Sequence, residues 1–364
     1  MATLAQERKT VRRFEVGSAK FSGQLGRFGT TALVTLFASM MLTAFLIPFF
    51  YSSLTAIKDK EQITASARGS IFPVDTLTYE YEGEIYELYN VPFEDGIREL
   101  ALINKRRQHS EFVDPDNPEA GLIIWEGSWR TLDTVQTFAP RWDNFGKAWR
   151  IVDFPLLIRN TLAVALLGVI GTICSSICVA YAFARFPIPG KRIVFFVLIS
   201  TIILPTQVTL VPTYAFFSRV GWVGTWLPLI VPHFFANAYN VFLIRQYFLT
   251  LPRELDEAAM IDGAGPFRVL VSVIVPQSWP VIVAVGLFHL VFAWNDYFGP
   301  LIYLLGEPDL QVLSIGIQVF NFQYGQQPHL IQATALMGLA LPVVIFFVAQ
   351  RFFMRGVVVT GVEK

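Results

Sequence analysis

The chain has 364 residues and no net formal charge; 54% of its residues are hydrophobic and 15% charged, and the mean hydropathy is +0.50. A soluble domain carries about a quarter charged residues, so this composition excludes an ordinary water-soluble protein and points to the membrane class. The zero net charge by itself argues neither for nor against a nucleic-acid partner; the distribution of charge along the chain is more informative.

Residues 1–29 carry Arg8, Lys9, Arg12, Arg13, Lys20 and Arg27. An apolar run follows, predicted to span the membrane over about 30–54. The leader is too long and the run too extended for a cleaved signal peptide. A polar segment comes next, and it reads as a small β-rich extracytoplasmic insert over 59–135. "TLTYEYEGEIYELYNV" alternates Tyr or apolar residues with Glu around a Gly, the pattern of a β-hairpin. "IRELALI" and "GLIIWEG" are further strand candidates, separated by the turn cluster "DPDNPEAG". The insert has few apolar residues for a free-standing core and is expected to lean on the membrane domain or on a partner.

From residue 140 to the C-terminus the sequence predicts a five-helix membrane core. Charge-free windows place further spans at about 160–184, 193–217, 224–246, 277–297 and 330–353, each long enough for a bilayer that needs about 20 apolar residues per helix. A charge at mid-bilayer costs roughly 2.5–3.5 kcal/mol, which gives these empty windows physical weight. Cys174 and Cys178, four apart within the second span, share a helix face and read as small packing residues. The fold expected is all-α and polytopic, with six transmembrane helices. The short flanks rich in Arg and Lys, including Arg185, Lys191 and Arg192 between spans two and three, put both termini in the cytoplasm.

The fourth-to-fifth connection, about 252–266, falls on the same side. "PRELDEAAMID" starts with Pro252, which suits a first helical turn. Glu254, Asp256 and Glu257 lie at the positive end of the helix dipole. Leu255, Ala258, Ala259 and Asp262 share one face, and the two alanines allow close approach by another surface. Gly263 is suited to the left-handed conformation that ends a helix, and Gly265-Pro266 stops its continuation. A second helix, "FRVLVSVIVPQ", leads into the fifth span.

Polar residues within spans mark a candidate substrate path: Gln207, Asn237, Asn240, Trp294, Asn295 and Asp296, with Asn160 and His289 nearby in the pattern. "WNDY" at 294–297 offers an aromatic ring, an amide and a carboxylate within one turn, a combination suited to sugars; hydrogen bonding between helices accounts for such residues equally well. The sequence has no P-loop, no H-E-x-x-H, no G-x-S-x-G and no zinc-spaced Cys/His cluster. A channel, a transporter or an assembly subunit is therefore expected, not an enzyme, and no metal site.

The stretch Glu257-Ala258-Ala259, Gly263, then Val273-x-Val275-Pro276 resembles the "EAA" loop of the inner-membrane subunits of binding-protein-dependent ABC importers. "FARFPIPGKR", "ILPTQVTLVPTYAFFSRVGW", "AWNDYFGPLIYL" and "QRFFMRGVVVTG" are similar to the carbohydrate-importer branch, in particular the maltose-type six-span subunit. The insert is longer than that family usually has. The resemblance implies a permease in the inner membrane of a prokaryote, working by alternating access. Its expected partners are a second permease subunit, two cytoplasmic ATPase subunits and an extracytoplasmic solute-binding protein, with a carbohydrate as substrate and no nucleic acid. It also implies no cofactor in this chain, because ATP and Mg belong to the ATPases. Arg253, Glu257, Ala258, Ala259, Asp262, Gly263 and Gly265 are then the ATPase-coupling residues, and the tail after Arg355 reaches between the ATPase subunits. An importer of a non-sugar solute is the alternative, followed by an ion-driven secondary transporter, which would show internal repeats and mid-membrane carboxylates.

Overall fold

Long runs without charge become helices, and the alternating polar segment becomes a sheet. The computed structural model describes residues 2–64, 70–106, 109–322 and 326–357, with side chains described throughout these ranges except at 2–27, 206–207, 322 and 351–357. The chain divides into two units, 1–55 and 56–364.

The first unit is helical. Helix α1 (Ala2–Ala56) joins the basic leader and the apolar run without a break; its apolar part, Phe28–Ala56, is long enough to cross a membrane. The boundary expected at 29/30 is thus a change of composition within one helix.

The second unit begins with the insert. Strands β1 (Val74–Thr76), β2 (Thr78–Tyr81), β3 (Glu84–Phe93), β4 (Gly96–Asn104), β5 (His109–Val113), β6 (Ile123–Glu126), β7 (Asp133–Thr134) and β8 (Gln136–Phe138) are antiparallel. The main sheet runs β2-β3-β4-β5-β6, with β7 also on β3, while β1 pairs β8 separately. The expected hairpin is β2–β3. Tyr81 pairs Glu84, and the two loop residues Glu82 and Gly83 both have positive φ, 53° and 85°, as a primed two-residue turn requires. Strand β5 is not signalled by alternation in the sequence.

The insert holds two small apolar clusters. Tyr89, Val91, Leu100, Leu102 and Phe112 pack with Trp125 and Trp129 on one face, and Leu88, Ala101 and Val135 pack on the other. Aromatic area replaces the missing aliphatic residues. The last strand runs three residues past the predicted boundary at 135, because β8 closes on β1.

Helix α2 (Asp143–Ile151) follows, then α3 (Phe154–Arg185), a membrane-length helix of 32 residues. The predicted third span is a bent pair, α4 (Lys191–Ser200) with its continuation to Ile203, and α5 (Thr206–Arg219), at 98°. Pro205 explains the break: it removes a backbone donor and forces Leu204 into extended geometry, with ψ 118°. The fourth apolar run, Leu227–Thr250, is interrupted at 235–237 before α6 (Ala238–Thr250). The short helix α7 (Glu254–Ile261) comes next. The helical stretch Pro266–Gln277 then bends by 82° into α8 (Trp279–Asn295); it includes a π-helical turn at Leu270–Ile274. Helix α9 (Pro328–Val357) is the last described element, apolar over Pro328–Gln350.

Helix α3 is central. Its Ile177, Tyr181 and Ala184 pack with Val241, Ile244 and Phe248 of α6 and with Val269, Ile274, Ile282 and Val285. Cys174 and Cys178 do share a face of α3, but both are exposed rather than packed inside the chain.

Candidate functional site

Helix α7 begins after Pro252 and takes Glu254, Asp256 and Glu257 into its first turn. Arg253 is its exposed N-cap residue, and the Arg253 carbonyl accepts the Glu257 N–H at 3.1 Å. The end is a Schellman closure. The Ala264 N–H bonds the Ala259 carbonyl at 2.9 Å, and the Gly263 N–H bonds the Met260 carbonyl at 3.0 Å. Gly263 takes φ +81°, the conformation only glycine adopts without strain. Gly265 is extended and precedes the next helical turn at Pro266.

The exposed side of this bracket carries Arg253, Glu257, Ala258, Asp262 and Gly263, with Ala259 half-buried. It also presents large apolar side chains. Ile261 is 86% exposed and Phe267 75%, and Met260 is exposed as well. Large apolar side chains left exposed together mark a contact surface for a protein or a membrane.

Asp256 was expected only to complement the helix dipole. It instead turns inward, its Oδ2 lying 2.5 Å from Arg185 Nε at the end of α3, with both side chains 8% exposed. The Arg185 Nη2 also donates to the Leu251 carbonyl at 3.1 Å. Burial raises the Asp256 carboxyl above the usual carboxylate range, while the guanidinium groups of Arg185 and Arg253 pull the other way. The pair therefore does not fully offset its own desolvation. What it does is fix α7 against the end of the central helix.

The candidate path residues have local partners. Asn237 caps α6, accepting from the Tyr239 and Asn240 N–H groups at 2.9 and 3.4 Å. Asn240 is buried. Trp294 packs in a core with Phe154, Leu157 and Leu313. Asn295 is exposed and donates to its own helix at Val291 O, 2.8 Å. Asp296 ends α8; its carboxylate accepts the Gly299 N–H at 3.2 Å and its carbonyl accepts Ser314 Oγ at 2.7 Å. The "WNDY" turn is thus divided, the ring facing the core and the amide facing outward. Asn160 donates to the carbonyls of Asp309 and Gln311 at 2.8 and 2.9 Å, pinning that loop. The Gln207 side chain lies outside those described, as do the side chains of the tail from Arg351 onward.

A histidine pair in the spans was not foreseen. The His289 and His233 rings are 4.3 Å apart, His289 Nδ1 is 3.1 Å from Thr172 Oγ1, and Ser175 Oγ donates to the His233 carbonyl at 3.1 Å. Gly168 makes the room: a Cβ there would lie 2.5 Å from His289 Nε2. Gly168→Val is expected to cost about 1–3 kcal/mol through overpacking, read as a lowered unfolding midpoint of the detergent-purified protein; an unchanged midpoint would mean that the rings are free to swing away.

Residues 169–358 match the family model described as "Binding-protein-dependent transport system inner membrane component". The osmoprotective compounds uptake permease protein GgtD of Synechocystis sp. is 30% identical over 278 residues, covering 75% of this chain and 92% of that protein. The sn-glycerol-3-phosphate transport system permease protein UgpE of Brucella melitensis is 32% identical over 220 residues, covering 59% and 77%. Among solved structures, a chain of a bacterial ABC transporter involved in the import of the acidic polysaccharide alginate matches with a TM-score of 0.61 at 18% identity. That match covers 90% of this chain and 96% of the other, a likeness of fold.

Proposed function

The chain belongs to the family of binding-protein-dependent transport system inner membrane components, and on that footing we propose the part it plays in an importer. It is a permease subunit of an ABC importer, a mostly helical membrane protein whose relatives are transport permeases and not enzymes. Its substrate is a sugar or oligosaccharide, moved by alternating access across the inner membrane of a prokaryote. It works with a second permease subunit, two cytoplasmic ATPases that hold ATP and Mg, and an extracytoplasmic binding protein.

The arrangement proposed is six spans, with each bent pair counted as one, both termini in the cytoplasm and the insert outside. Arg253, Glu257, Ala258, Ala259, Asp262, Gly263 and Gly265 form the coupling surface. The observation that carries this is the Schellman-closed bracket: it is anchored through Asp256 and leaves Glu257, Met260, Ile261 and Phe267 exposed. It lies inside the family match. Gln207, Asn237, Asn240, Asn295 and Asp296 are proposed to border the substrate route, with Trp294 as packing behind them.

The test is uptake by the importer reconstituted in proteoliposomes. Glu257→Lys reverses the charge on the exposed face and touches no span. ATP-driven uptake should be lost while the amount of subunit in the membrane stays unchanged; if uptake persists, the bracket does not couple. The names of the relatives, osmoprotective compounds and sn-glycerol-3-phosphate, favour a second reading in which the cargo is a non-sugar solute. Ligand binding by the partner binding protein separates the two.

A further inference from the structure

Helix α2 (Asp143–Ile151) belongs to neither the insert's sheets nor the spans. Apart from Gly146 and the exposed Ile151, its residues and their immediate flanks fall into three stripes. Asn144, Ala148 and Val152 are buried. Asp143, Lys147 and Arg150 are exposed, with Lys147 Nζ 2.7 Å from Asp143 Oδ2. Trp142, Phe145 and Trp149 make the third stripe, between the buried one and, across Gly146, the charged one. Trp142 is 66% exposed and Trp149 45%.

Two further features fix where this helix sits. Asn144 Nδ2 donates to the carbonyls of Ala56 and Lys58, both at 2.9 Å, where the first apolar helix ends. At the other end, Asp153 takes φ 47° and ψ 60°, a left-handed conformation rare outside glycine. That turn separates α2 from α3, so the amphipathic helix does not simply run on into the span. The Trp149 ring lies 4.7 Å from that of Phe154, the first residue of α3. The helix is thus held at both ends to residues where an apolar helix meets polar chain.

We propose that α2 lies in the membrane–water interface on the insert's side, with Trp142 and Trp149 seated in phospholipid at headgroup level, Phe145 packed against the buried core, and Asp143, Lys147 and Arg150 facing water. A helix lying in that plane needs the boundary to run along its length between an aromatic and a charged stripe, and this one has that order. Tryptophan suits the aromatic stripe, because its ring is apolar and its N–H takes a polar partner at the headgroups. The buried stripe docks the helix on the protein, so the lipid contact would hold the foot of the insert at a set depth.

The test uses the full chain in its assembled importer, in phosphatidylcholine nanodiscs, with Cys174→Ser and Cys178→Ser removing the native thiols. Trp149→Cys, Trp142→Cys and Lys147→Cys are each labelled with bimane. Brominated acyl chains should quench the label at 149 and at 142 and spare the one at 147, whereas aqueous iodide should do the reverse. Iodide quenching at all three positions would make the stripe solvated. Protection at 149 and 142 from both quenchers would make it a protein contact. Either result overturns the proposal, and neither depends on whether the importer transports. Should Trp149→Cys fail to assemble, Trp142→Cys carries the same reading.

Discussion

Replacing Asp256 by alanine will destabilise the subunit by about 3–5 kcal/mol, the cost of leaving a buried guanidinium without its counter-charge. Arg185 keeps its bond to the Leu251 carbonyl but loses the carboxylate 2.5 Å away, in a site too buried for water to replace it. Arg185→Met with Asp256→Leu should recover most of that loss, because apolar residues of similar volume carry no desolvation cost there. Denaturant titration of the purified protein measures both variants. A single-variant loss below about 1 kcal/mol, the range of exposed ion pairs, would mean that the pair is solvated. The double variant also separates stability from coupling. If the pair ties α7 rigidly to α3, uptake per ATP hydrolysed should fall even where stability returns.

Gly263→Pro will abolish ATP-driven uptake and leave the subunit in the membrane. Proline fixes φ near −65° where the chain has +81°, and it removes the N–H that bonds the Met260 carbonyl; the Schellman closure is lost at about 3 kcal/mol or more. Two milder changes calibrate this. An added Cβ at 263 meets nothing within 4 Å, so Gly263→Ala carries only the left-handed backbone cost, about 1–2 kcal/mol. Gly263→Asn should lie closer to the parent, since Asn tolerates that conformation. The three variants should rank in that order in proteoliposome uptake. Normal uptake by the proline variant would remove the coupling role. Alanine as damaging as proline would show that a partner surface fills the space beside Gly263.

The bracket was legible because helix starts and stops are local. The acidic first turn and Gly263 each act on the backbone within a few residues, and the structure places them as their chemistry requires. The β2–β3 hairpin was legible for the same reason. What the sequence concealed is long-range. Asp256 had a sound local role at the helix dipole, and nothing in its own turn says that Arg185, 71 positions earlier, would meet it. The His233–His289 pair joins two helices through a gap made by a glycine on a third. The "WNDY" turn is the opposite case: its residues are close in sequence, but successive helical residues face different ways, so Trp294 packs in a core and Asn295 is exposed. Hydropathy windows found the apolar runs but not the bends at Leu204-Pro205 and Ser278, since apolar composition does not report helix direction.

The pairing of β1 with β8 sets Val74 opposite Phe138. Antiparallel neighbours lie about 5 Å apart at Cα, so the chain's way into the insert and its way out are one strand spacing from each other. Everything between is a closed excursion: it could lengthen, shorten or be exchanged without moving the ends that the membrane helices have to meet. Within one architecture of spans, that junction leaves the insert free to diverge.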